Sequence, residues 1–108
     1  MLDEPSPLSA RTYVSVWLAE NQERLGLVRR KFESTESPAK VLSAWFETPR
    51  YLVDITVWDH AYCLDILVLE QATGSSVFSE GGSCESTSGL SVRLCSLATW
   101  LSAHAAGT

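Results

Sequence analysis

The chain has 108 residues, a length typical of one domain and too short for two well-packed cores, so we predict a single domain over residues 1–108. Hydrophobic residues make up 45% and charged residues 19%, a composition that excludes a disordered chain and predicts a core that forms without disulfides or metal. The net charge of −5 lies entirely in residues 51–108, which argues against nucleic-acid and anionic-lipid partners and favours a basic protein surface.

The N-terminal segment is predicted to form an amphipathic helix over Ser6–Leu25. Ser6 and Pro7 suit the N-cap and the first helical position, and Gly26 is a natural stop. The apolar residues at helical spacing are Ala10, Tyr13, Val14, Trp17, Leu18 and Leu25.

The middle of the chain is predicted to form an antiparallel meander of four or five strands. Runs rich in apolar and β-branched residues lie at Leu27–Ser34, Lys40–Phe46, Tyr51–Trp58, Tyr62–Leu69 and Ser75–Glu80. The first run carries Arg29, Arg30 and Lys31, a charge density that suits an edge strand, and Ser34–Pro38 follows it as a polar loop.

Hairpin registers can be tested by asking whether apolar residues meet on one face. A tight loop at Asp59 and His60 would place Val57 opposite Tyr62, and Tyr51 opposite Val68, so that apolar residues pair throughout. A loop at Glu47–Arg50 would likewise place Phe46, Ala44 and Leu42 opposite Tyr51, Val53 and Ile55. These pairs predict one continuous core face across three strands.

A second amphipathic helix is predicted from Ser88 onward, with Ser88 as its cap. Its apolar stripe contains Leu90, Leu94, Leu97, Leu101 and His104 or Ala105. The order of helix, meander and helix predicts an α+β fold in which the helices pack on the sheet.

The same registers predict a second, mixed face opposite the core, and there Asp54 lies directly across from Asp65. Like charges opposed on a sheet are unfavourable unless a cation lies nearby, and a bound Arg or Lys would supply one. We therefore predict a partner-binding surface made of Trp45, Leu52, Asp54, Trp58, Asp65, Leu67 and Glu80, with Leu69 and Phe78 on the same face. The alternative is intramolecular: Arg29 or Lys31 neutralises the aspartates, and a helix covers Trp45, Trp58 and Leu67 as a second small core.

Three further features have a chemical interpretation and a simpler structural one. Asp59, His60 and Cys63 have a spacing seen in some metal sites, but no other ligands converge on them, so we expect no metal and no catalytic residue. The stretch from Gly81 to Ser86 has exposed glycine amides but lacks the lysine of a phosphate loop, so we expect a connector and no cofactor. The basic run at 29–31 is too short to predict nucleic-acid binding in an acidic chain.

The first residues and the cysteines indicate the cellular location of the protein. No basic segment followed by an apolar run marks a secretory signal, and every apolar run is too short to cross a membrane. Cys63, Cys84 and Cys95 are odd in number and lack CxxC spacing, which argues against a disulfide framework. We expect a soluble, cytoplasmic protein.

The motifs of the central strands carry a family resemblance. The residues are Trp45, Phe46, Glu47, Thr48, Pro49 and Arg50, then Ile55, Thr56, Val57, Trp58 and Asp59, then Leu67, Glu70, Thr73 and Gly74. With these motifs the chain resembles bacterial immunity proteins of polymorphic-toxin systems, and in particular the TriTu family. The resemblance extends over roughly residues 45–101. The resemblance implies a cytoplasmic antidote to an Rhs-type toxin of type VI secretion, whose toxin domain is an ADP-ribosyltransferase that attacks elongation factor Tu. It implies no functional residues.

Two other classes stay open beside an antidote. A small acidic secretion chaperone would act as a homodimer that holds an unfolded segment, and the neighbouring gene distinguishes it from an antidote. An enzyme that uses Cys63 or Cys95 is disfavoured, because no base accompanies either thiol.

Overall fold

The computed structural model describes residues 9–37, 39–84 and 86–105. In chain order the elements are α1 (Ala10–Asn21), β1 (Val28–Thr35), β2 (Val41–Glu47), β3 (Tyr51–Trp58), β4 (Cys63–Glu70), β5 (Ser76–Glu80) and α2 (Thr87–Ala105). The five strands form one antiparallel sheet in the order β1-β2-β3-β4-β5. The predicted α+β meander between two helices is therefore confirmed.

Helix α1 begins later and ends earlier than predicted. Its N-cap is Ser9, whose hydroxyl accepts a hydrogen bond from the Thr12 amide at 3.1 Å. The predicted cap at Ser6 and Pro7 lies outside the described residues. The helix ends at Asn21, and the chain then turns through Gly26, whose φ of 69° is the left-handed conformation that glycine adopts at low cost.

The hairpin of β2 and β3 is offset by two residues from the predicted register. Phe46 lies opposite Val53, so its predicted partner Tyr51 is wrong. The strands continue to Glu47, and Thr48 then closes the turn: its hydroxyl accepts from the Tyr51 amide, and its own amide donates to the Tyr51 carbonyl, both at 2.9 Å. Because side chains alternate along a strand, an offset of two leaves every residue on its predicted face.

The hairpin of β3 and β4 shows the same offset for a different reason. Val57 lies opposite Leu64, not Tyr62 as predicted, because a 3₁₀ turn at His60–Tyr62 replaces the expected two-residue loop. Two-residue hairpin loops of the favoured types need positive φ and are dominated by pairs that contain glycine, and residues 59–62 contain no glycine. In the 3₁₀ turn that forms instead, Tyr62 adopts a positive φ of 50°.

Both helices pack on the same face of the sheet. The buried residues of α1 (Ala10, Val14, Leu18) and of α2 (Leu90, Leu94, Leu97, Leu101) form one cluster with the buried alternate residues of β2, β3 and β4. Helix α2 begins one residue before its predicted cap Ser88, and the Ser86 hydroxyl accepts from the Gly89 amide at 3.3 Å. Strand β1 is the predicted edge strand, and all eight of its residues are exposed.

The Arg11 guanidinium ties α1 to the sheet. It is 15% exposed, and it pairs with Asp59 at 3.1 Å at the end of β3 and with Glu36 at 3.2 Å after β1. The Asp59 carboxylate also accepts the Arg11 backbone amide at 2.9 Å. Asp59, a candidate metal ligand by its spacing in the sequence, thus has a structural partner in α1.

Candidate functional site

The sheet face opposite the helices, here called the open face, is not covered by any described element. It presents the alternate residues of the strands, whose side chains are partly or largely exposed. Six of the seven predicted binding residues share this face: Trp45, Leu52, Asp54, Trp58, Asp65 and Leu67. The predicted second core under a helix is wrong, because both helices lie on the other side.

Glu80 and Phe78 were predicted on the open face, and both assignments are wrong. Glu80 pairs with Ile66, and Phe78 pairs with Val68, so both lie on the helix side. The physical reason is a bulge at Val77, which inserts one extra residue in β5 and reverses the alternation of the residues that follow.

Asp54 and Asp65 are diagonal neighbours rather than directly opposed. The offset of the hairpin places Asp54 across from Leu67, and Asp65 across from Thr56. Residues on a diagonal are still close enough for long side chains to interact. The charge of Asp65 accordingly contributes to the raised pKa of Asp54, although it is the smallest of the causes.

Burial is the main cause of the raised pKa of Asp54. The Asp54 side chain lies between Trp45 and Leu67 of the neighbouring strands, and its partial burial removes water from the charged form. Two groups oppose this effect and lower the pKa: the Trp45 indole, which donates a hydrogen bond to the carboxylate, and the Lys31 ammonium. The net direction is upward, so these intramolecular partners do not fully compensate for the lost hydration.

The basic residues of β1 differ in how they relate to the aspartates. Lys31 pairs with Trp45 on the open face, and its ammonium lies 3.7 Å from Glu33. Arg29 lies opposite Phe46 on the other face, with its guanidinium 5.0 Å from the centre of the Phe32 ring. The intramolecular alternative therefore holds in part for Lys31 and is wrong for Arg29.

The open face combines apolar area with negative charge. Trp45 is 46% exposed, and Trp58, Leu52 and Leu67 are partly exposed around it. Aromatic and aliphatic residues of this kind form the anchors of protein interfaces, and carboxylates among them select a cationic partner. Such a surface has the composition that binding a cationic protein requires.

The described residues include no group of three His, Cys, Asp or Glu side chains that could hold a metal ion. Cys63, Cys84 and Cys95 are free thiols. The predicted metal candidates separate in the structure: His60 and Cys63 line a pocket on the open face, whereas Asp59 binds Arg11.

The sequence did not predict two concave features. A groove of about 750 Å³ runs between β5 and α2, and its walls include Phe78, Trp100 and His104. The Trp100 and His104 rings stack there at 4.0 Å. A smaller pocket of about 320 Å³ lies on the open face beside Trp58. The sequence indicates its lining residues separately, as binding residues, metal candidates and a glycine loop, but does not predict that they meet.

No helix among the described residues has the length and apolar character needed to cross a membrane. Comparison of the chain with protein-family models, with curated proteins and with solved structures finds no match. The resemblance to immunity proteins therefore stays a prediction, and the geometry of the open face is what supports a function for this chain.

Proposed function

We propose that this protein is a cytoplasmic immunity protein that neutralises a cognate toxin domain by covering a basic surface of that domain with its open face. The observation that carries the proposal is the uncovered sheet face, where Trp45, Trp58 and Leu67 surround Asp54 and Asp65. An antidote of this kind acts by steric and electrostatic block and needs no catalytic group.

The raised pKa of Asp54 supports a cationic partner. A carboxylate that is poorly hydrated and only partly compensated by Lys31 gains more from a bound Arg or Lys than a fully hydrated surface carboxylate does. The net charge of the chain also favours a cationic partner, at longer range. All of the net charge of −5 lies in residues 51–108, which include β3 and β4.

The resemblance suggests which toxin this is: the ADP-ribosyltransferase domain of an Rhs effector delivered by type VI secretion. Such a domain must bind NAD and its target protein in clefts. Covering either cleft with the open face would stop the reaction.

The test is co-expression with the product of the neighbouring gene, with growth rescue and co-purification as readouts. The decisive variant changes Asp54 and Asp65 together to Asn, and Glu20→Gln on the exposed side of α1 is the matched control. We expect the double variant to keep or gain stability and to bind more weakly. If the carboxylates are buried against Arg or Lys, the loss is about 2 kcal/mol or more and appears in dissociation. If they act by steering, the loss appears in association at low salt.

Two results would overturn the proposal. A double variant that is destabilised yet still neutralises the toxin would show that the interface lies on another face. A homodimer that holds the neighbouring gene product without rescuing growth would identify the secretion chaperone instead.

A further inference from the structure

We infer that the small pocket beside Trp58 is a socket for a single arginine side chain of the partner. The inference rests on the proposed function, because it names the group that the open face would recognise. The pocket has a volume of about 320 Å³ and is lined by Trp58, His60, Cys63, Asp65 and Gly82. This volume is at the lower limit of ligand pockets, so it suits one side chain better than a larger molecule.

Strand pairing places the walls of the pocket. Trp58 at the end of β3 lies directly opposite Cys63 at the start of β4. Asp65 follows two residues later, so its side chain is on the same face as Trp58 and Cys63. The short turn that contains His60 connects the two strands, and it therefore closes the end of the pocket. An aromatic ring and a carboxylate thus border one space.

The Gly81–Gly82 loop holds the Asp65 carboxylate in place. The Gly82 amide donates a hydrogen bond to Oδ1 at 3.3 Å, and Gly82 has a φ of 114°, a conformation for which glycine is strongly preferred. A Cβ atom at position 81 would lie 2.7 Å from Oδ1, so a side chain there would displace the carboxylate. The two glycines therefore let the backbone approach Asp65 closely without covering it.

Asp65 forms no ion pair with the described residues. Its side chain is exposed, and the ion pairs among the described residues are formed by other carboxylates. A metal ion is a poor occupant, because the described residues offer no three-ligand group. A cationic side chain can interact with the Trp58 ring and with the Asp65 carboxylate at the same time.

Arginine fits these walls better than lysine. A guanidinium can stack on the face of Trp58 by a cation–π contact and can donate two parallel hydrogen bonds to a carboxylate. The lysine ammonium is a point charge that keeps its water more strongly and has no planar face to stack. The socket therefore recognises a planar cation, and it would fix the partner's position at one edge of the open face.

The experiment uses the full-length protein labelled with ¹⁵N and three probes: N-acetyl-arginine methylamide, the corresponding citrulline compound and the corresponding lysine compound. Citrulline has nearly the same shape as arginine but no charge. We expect a saturable shift of the Trp58 indole N–H signal with the arginine probe, assigned with Trp58→Phe. Affinity should fall about tenfold with citrulline or in Asp65→Asn, and should stay unchanged in the Glu20→Gln control.

Gly81→Ala is a second variant, which keeps Asp65 but displaces its carboxylate. We expect weaker binding of the arginine probe, with an otherwise unchanged amide spectrum. Three results would each contradict the arginine socket. They are equal shifts of the Trp58 indole signal with the citrulline probe, tighter binding of the lysine probe, and full affinity for the arginine probe in Asp65→Asn.

The probes need no toxin, so this test and the test of the proposed function fail independently. Neutralisation without arginine binding would refute the socket alone. Arginine binding without neutralisation would refute the antidote function alone.

Discussion

Burial of the Asp54 side chain disfavours its charged form in the folded protein. Burial raises its pKa, while Trp45 and Lys31 oppose the shift only in part. The folded protein therefore binds this proton more tightly than the unfolded chain does. The free-energy cost of the charged carboxylate is full above the raised pKa, and it disappears as the pH falls below the unfolded value of about 3.9.

We predict from this that Asp54→Asn keeps or raises the free energy of unfolding at pH 7. The advantage over the wild type should shrink as the pH falls toward 4, because the wild-type carboxyl then becomes neutral as well. Urea denaturation at several pH values measures the difference, and Glu20→Gln controls for the loss of one negative charge. A variant that is clearly less stable at pH 7 would mean that Lys31 or Trp45 gains more from the charge than burial costs.

At the scale of the elements, the sequence predicted the strands and their faces well and the registers poorly. Alternation assigned Trp45, Asp54 and Asp65 to the open face correctly, because the errors in both hairpins were offsets of two residues. The offsets arose in the turns. The β2–β3 loop lies one residue later than predicted, at 48–51, and the 3₁₀ turn lengthens the β3–β4 loop to residues 59–62; apolar patterning reveals neither change. The bulge in β5 inserts a single residue and so reverses the alternation of the residues after it. The sequence therefore assigned Glu80 to the wrong face.

The seam between α2 and the sheet gives the second prediction. Leu94 and Leu97 are fully buried, so Leu94→Asp or Leu97→Asp would place an unpaired carboxylate in the core. We expect a loss of about 3 kcal/mol or more, a large fraction of the stability of a typical domain. Val92→Asp also introduces an aspartate on the same helix, but at a position that is 66% exposed, and this variant should melt nearly as the wild type does.

Thermal unfolding followed by circular dichroism compares these three variants. Wild-type melting of Leu94→Asp and Leu97→Asp would contradict the docking of α2 on the sheet. Equal destabilisation by Val92→Asp would indicate that the loss comes from helix propensity rather than from burial.

Across the whole molecule, the two faces of one sheet have separate roles. Both helices cover one face, so a single cluster of buried residues connects α1, the three central strands and α2. The other face gains nothing from the helices, and its aromatic residues and carboxylates stay partly or largely exposed. The packing of the helices therefore stabilises one side of the sheet, and the proposed function uses the other side.

A core of this kind predicts how the protein responds to removal of metal. Its stability comes from apolar residues of both helices and the sheet, and the described residues contain no metal-binding group and only free cysteines. We therefore expect one cooperative unfolding transition whose midpoint is the same with and without EDTA, and unchanged by reducing agent. Added Zn²⁺ is the control in the opposite direction, since a real site would raise the midpoint by mass action. A midpoint that falls in EDTA and recovers with Zn²⁺ would show that His60 and Cys63 hold a metal after all, and the pocket beside Trp58 would then have an ion as its occupant instead of an arginine.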